Sequence, residues 1–167
     1  SDAGNQVAYN KLIDYTSTND YIAASGYLQY EPIKGLVLKF NASRNMYFGK
    51  VHKFTPTYEI GVMKINNRAS LYEDRSQTTN DLLELTANYN TTIKNDHNLA
   101  GLLGISQEEN KYEDLNTTGY KFENNEMDNM GHAQEDFSSG GSETRSGLRS
   151  LFGRVNYNWK MRYMLMA

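Results

Sequence analysis

The residues able to do chemistry are scattered along this chain. His52, His97 and His132 lie far apart, with no HExxH pair and no cysteine to complete a zinc set, whereas a metal centre read from sequence needs ligands at short, regular spacing. No metal site and no cofactor is expected from them. The adjacent carboxylates Glu108 and Glu109 suggest acid/base work on a glycosidic bond, but that requires two carboxyls facing each other across about 5 to 9.5 Å. Neighbours on a strand point to opposite sides. The GxSxG, Walker A and GxGxxG patterns are absent, and the chain is read as something other than an enzyme.

The acids gather locally. Between Glu108 and Asp136, nine acids stand against Lys111 and Lys121, a local net charge of -7 in a chain whose overall charge is -3. Charged, Asn-rich sequence buries too little surface to order itself, so this run is expected as a solvated loop. Asn124-Asn125-Glu126-Met127-Asp128-Asn129 offers the oxygens calcium prefers without the EF-hand spacing. No basic stripe marks a nucleic-acid partner. Tyr58, Tyr72, Tyr112 and Tyr120, each an apolar ring with a polar tip, suit contacts to a sugar or a peptide and are the candidate ligand-binding residues.

The elements that must position these groups show in the alternation of side chains. Runs of period two cover 21–30, 36–47, 81–91, 98–108, 147–158 and 162 to the C-terminus, which predicts an all-β, antiparallel meander of about six strands. In 36–47 one face collects Leu36, Leu38, Phe40 and Ala42, and the other Lys39, Asn41, Ser43 and Asn45. In 81–91 Leu83, Leu85, Ala87 and Tyr89 oppose Glu84, Thr86, Asn88 and Asn90. Leu151, Gly153, Val155, Tyr157 and Trp159 oppose Phe152, Arg154, Asn156 and Asn158. The run 98–108 is less clean, because Leu102 lies opposite Leu99, Leu103 and Ile105. An apolar face that ends in aromatics beside a tight turn fits a strand crossing a bilayer, with rings at the headgroup level. Lys39, Asn41, Asn45, Arg154 and Asn156 are then the lumen-facing polar candidates.

Connection lengths point the same way. Turns at 31–35, 92–97 and 159–161 are tight, while 48–80 and 109–146 are long. Long loops are uncommon inside compact soluble domains, whereas outer-membrane barrels alternate short periplasmic turns with long extracellular loops. The runs are close to the 9 to 11 residues or so that a tilted spanning strand needs.

Three segments carry a family resemblance. Tyr27-Leu28-Gln29-Tyr30-Glu31-Pro32-Ile33-Lys34-Gly35-Leu36, then Leu99 to Ser106 (LAGLLGIS), then Leu148-Arg149-Ser150-Leu151-Phe152-Gly153-Arg154-Val155-Asn156-Tyr157 followed by Arg162-Tyr163-Met164-Leu165 resemble the SusC/RagA family, TonB-linked outer-membrane receptors of Bacteroidetes, from about Asn10 to Ala167. The resemblance implies a segment of a plugged barrel of about 22 strands. It also implies import of an oligosaccharide or peptide, a SusD-like surface lipoprotein as partner, contact with membrane lipid, and a cell outer membrane location. Signal peptide, TonB box and plug are not found here, so TonB would be engaged through a plug outside this sequence.

Composition is compatible with that segment. The mean hydropathy is -0.72 and no apolar run approaches the 18 or so residues of a helical span, but barrel strands carry only alternate apolar residues. Residues 1–167 are expected as a single region, Ser1-Asp2-Ala3 reads as a processed or engineered start, and zero Cys denies a disulfide framework. The alternative is a freestanding secreted antiparallel β-sheet binding module. The two differ in what covers Leu38, Phe40, Leu83, Leu85, Val155 and Trp159: lipid, or a second protein layer.

Overall fold

The computed structural model describes residues 12–60, 64–94, 96–126 and 128–167. Its strands are β1 Asp14–Ile33, β2 Leu36–Thr55, β3 Tyr58–Ile60, β4 Lys64–Asn66, β5 Ser70–Ile93, β6 His97–Tyr120, β7 Glu135–Trp159 and β8 Tyr163–Met166. Six of them form one antiparallel sheet in the order β1-β2-β5-β6-β7-β8, and β3 with β4 makes a small antiparallel hairpin inserted between β2 and β5. Chain order is thus sheet order, the meander expected from alternation. Ser1 to Ala3, Asn10, Asn95 of the second tight turn and Met127 of the acidic run lie outside the described residues.

The strands run well past the periodic segments. β1 and β2 have 20 residues each, β5 and β6 have 24, and β7 has 25. The expected long loops at 48–80 and 109–146 are therefore corrected: 48–55, 70–80, 109–120 and 135–146 are strand, and only 56–69 and 121–134 connect. The acidic run is likewise not one solvated loop, since 108–120 belongs to β6 and 135–136 to β7. The reason is physical. A strand is held by its backbone ladder, and where both faces are wet the side chains need not alternate, so period-two reading loses it.

Two compact units divide the chain. One comprises 22–46, 79–111 and 145–167 and holds the three tight turns. At the first, Gly35 takes φ +88° and sits against the Asn90 carbonyl, where any Cβ would collide; its own N–H donates to Glu31 Oε1 at 2.8 Å. At the third, Lys160 and Met161 adopt positive φ, and Asn158 Oδ1 accepts from the Met161 N–H at 2.8 Å, the local bond that lets Asn initiate turns.

The other unit comprises 47–78 and 112–144 with the chain before Ile22. It has a small core of its own: Phe54, Ala69, Leu71 and Phe122 are buried, with Met130 and Ala133 packed against them. Phe54 and Phe122 meet edge to face at 5.3 Å, the arrangement aromatic quadrupoles favour. These side chains tie both connections down. Among the described residues no helix is long and apolar enough to cross a membrane, which leaves crossing by strands open.

Candidate functional site

In the unit with the tight turns, one face of the sheet is greasy and uncovered. Phe40, Leu83, Leu85, Ile105 and Leu151 line a single shallow groove of about 730 Å³, with Arg149 at its margin. Leu83 and Leu85 are each 46% exposed, Leu103 59% and Leu151 75%. Burial of such side chains from water is worth about 1.5–3 kcal/mol apiece, so a continuous face left open marks a surface meant for an apolar environment. At the end of this face next to the turns, His97 Nδ1 lies 2.6 Å from the Tyr157 hydroxyl. His97, Trp159 and Tyr163 stack in succession, at 6.3 Å and 5.6 Å between ring centroids. The Tyr157/Trp159 pair is legible in the sequence, whereas His97 reads there as an isolated histidine; its signal is its position one residue before the next alternating run.

The opposite face is polar and internally bonded. Asn41 Nδ2 donates to Glu84 Oε1 at 2.8 Å, and the Lys39 ammonium stands 4.8 Å above the Tyr27 ring. Asn45 lines a hollow of about 410 Å³ with Ser43, Asn80, Glu108 and Asn110. On β7, Arg154 is exposed and Asn156 half-buried, its Oδ1 without a hydrogen-bond partner among the described residues. Two strands separate β7 from β2, a distance of about 14 Å at ordinary strand spacing, so Arg154 and Asn156 do not join the Lys39–Asn41 group. β8 departs from the alternation: Met166 and Met164 pair with Asn156 and Asn158 and share their face.

In the other unit the four tyrosines separate. Tyr72 lies on β5 and Tyr112 on β6, strand residues rather than loop residues. Partial burial first, then the charges of Asp74 and Asp114, hold the Tyr72 phenol above its ordinary value. Tyr120, at the end of β6, carries the Arg68 guanidinium 4.5 Å over its ring, and Arg68 also pairs with Asp136. Tyr58 sits apart in β3, opposite Asn66. An open groove of about 740 Å³ lies in the same unit, where Asp20, Lys50, Arg75, Glu113, Asp114 and Glu143 present both signs of charge. Asp114 accepts from the Ser142 hydroxyl across the β6–β7 pair. The basic members, Lys50 and Arg75, were not singled out from sequence, because lone cations on polar strands carry no local signature.

No protein-family model matches the chain. A TonB-dependent receptor of Formosa agariphila, designated P39, is 29% identical over 146 residues, covering 84% of this chain and 14% of that receptor. Among solved structures, the RagAB peptide transporter matches with a TM-score of 0.85 at 18% identity, over 93% of this chain and 17% of that one. The RagAB peptide importer matches in its open-open state (TM-score 0.84, 20% identity, 91% and 17% coverage) and in its closed-closed state (0.82, 19%, 89% and 17%). The chain thus spans a small part of the length of the relatives it matches.

Proposed function

We propose that the chain is a barrel segment of a SusC/RagA-like TonB-dependent receptor of the outer membrane and that it supplies wall and mouth to an importer of short peptides. The observation that carries this reading is the uncovered apolar face of Phe40, Leu83, Leu85, Ile105 and Leu151, bounded near the tight turns by His97, Tyr157, Trp159 and Tyr163. Such a face needs hydrocarbon beside it, and such rings an interface. The reverse face, with Lys39, Asn41, Asn45, Arg154 and Asn156, is then the lumen side.

Peptide is favoured over glycan by the charged groove. A peptide brings an ammonium, a carboxylate and amide groups, which the acids Asp20, Glu113 and Glu143 and the cations Lys50 and Arg75 complement; neutral sugars would gain little from paired charge. Tyr72 feels the charge of Asp114, which lines this groove, and Tyr112 stands two residues before Asp114 on β6; in this reading both rings contact a side chain or peptide plane of the cargo. The relatives resembled at this level are peptide importers by name. A SusD-like lipoprotein as lid and TonB as the energy source complete the reading, which is transport rather than catalysis.

The test places nitroxide labels at Arg154→Cys and Val155→Cys in the receptor that carries this segment, reconstituted in liposomes. Oxygen dissolved in lipid should relax the Val155 label, and a water-soluble nickel chelate the Arg154 label. Equal relaxation of both by either reagent rejects the wall assignment. For the cargo, Tyr72→Ala with Tyr112→Ala should lower peptide-dependent growth and leave receptor abundance unchanged; unaltered peptide uptake rejects the peptide reading alone.

A further inference from the structure

Asp14 at the start of β1, His52 near the end of β2, and Asp128 in the β6–β7 connection come from three distant parts of the sequence and converge in one unit. One ligand atom from each lies within 4.8 Å of the others. His52 Nε2 is 3.7 Å from Asp128 Oδ2, and Nδ1 is 3.4 Å from Glu73 Oε1. The imidazole, with 19% of its side chain exposed, is held from both ends, and carboxylates of Asp14, Glu73 and Asp128 crowd around it. A single His–Asp pair would need only one of them. Three carboxylates about one imidazole repel each other, and a bound cation offsets that repulsion.

We propose that Asp14, His52 and Asp128 bind a divalent transition metal, zinc first among them, with Glu73 as the positioning residue. The Glu73 contact at Nδ1 leaves Nε2 facing Asp128; a carboxylate on the far nitrogen is the usual way a metal-bound histidine is fixed in tautomer and orientation. One imidazole nitrogen and two carboxylate oxygens match zinc, whereas calcium and magnesium take oxygen sets. With bonds of 2.0–2.1 Å, neighbouring ligand atoms around tetrahedral zinc stand about 3.4 Å apart, so the 3.7 Å His52–Asp128 separation closes by a few tenths of an ångström and the exposed Asp14 carboxylate draws in from within 4.8 Å. Three protein ligands leave a fourth position for water or an incoming group. The ion would tie β1, β2 and the 121–134 connection together. The inference stands apart from the import reading, because zinc binding is measured without cargo.

The experiment titrates zinc alone into the full, chelator-stripped receptor in detergent against a fluorescent zinc indicator. Wild type should bind one equivalent more than H52Q, with D14N and D128N weakened, and E73Q about 10- to 100-fold weaker. H132Q, at an exposed histidine outside the cluster, should match wild type. Circular dichroism confirms the fold of each variant; should H52Q misfold, D128N, which alters an exposed carboxylate, carries the comparison. Equal stoichiometry and affinity in wild type, H52Q and D128N overturns the site.

Discussion

Leu85→Arg is the substitution that weighs the apolar face most directly. Leu85 lies four residues before Tyr89 on the same face of β5. At about 3.4 Å per residue and a strand tilt of about 40°, each residue climbs about 2.6 Å, which places Leu85 about 10 Å from the level of the Tyr89 ring. The apolar band of an outer-membrane barrel is about 25 Å tall, so Leu85 falls close to its middle, where arginine costs about 2–4 kcal/mol against about 0–1 at the margins. That cost corresponds to about a 30- to 1000-fold drop in the folding equilibrium. Were this face open to water instead, the same side chain, 46% exposed, would tolerate arginine within about 0.5 kcal/mol. The assay is guanidinium unfolding of the full receptor in phosphatidylcholine vesicles, followed by tryptophan fluorescence. Tyr89→Arg should fall within about 1 kcal/mol of wild type, being at the margin, and so should Asn88→Arg, which points to the hydrated side. If Leu85→Arg is no worse than Asn88→Arg, the lipid-facing assignment fails.

Other substitutions probe separate links in the argument. Leu71→Ala removes the fully buried centre of the Phe54–Phe122 cluster and should cost about 2–5 kcal/mol locally, read as faster hydrogen exchange in 121–134; unchanged exchange rejects the idea that this core anchors the connection. Gly104→Ala would drive a Cβ into the Phe152 ring and should destabilise by about 1–3 kcal/mol, with Phe152→Ala rescuing it in the double variant; additive losses would deny the contact. The Tyr72 phenol, held high by partial burial and by Asp74 and Asp114, favours its neutral form. Its contribution to stability is full below the ordinary tyrosine range and is lost as pH rises through the raised value. Asp74→Asn should therefore bring tyrosinate absorbance on at lower pH, and coincident titrations of variant and wild type would contradict the cause assigned.

How much of this was legible depended on whether one face of a strand is dry. Leu83, Leu85, Ala87 and Tyr89 announce themselves because an apolar face selects every second residue, and the same selection fixes register, since a slip of one residue would turn Glu84 to the greasy side. Beyond that zone the selection stops. The stretch 70–80 and the stretch 135–146 are strands whose side chains are mostly polar on both faces, so composition alone makes them look like loops. The same limit hid the nearness of Tyr72 to Asp114, which exists only once β5 and β6 are laid side by side.

The acidic run illustrates the final step. Read along the chain, Asp114, Asp128 and Asp136 are three members of one repulsive, solvated segment. In space they have parted: Asp114 accepts from Ser142 on β7, Asp136 pairs with Arg68, and Asp128 faces His52. Charge that is excessive in one dimension is distributed by the sheet among partners brought from elsewhere, which is why a segment too acidic to order by itself becomes ordered here. The residual excess falls around His52, where Asp14, Glu73 and Asp128 converge. In a unit whose hydrophobic core, among the described residues, is Phe54, Ala69, Leu71 and Phe122, a cation at that point would serve as a second anchor for the connection that the core holds at Phe122.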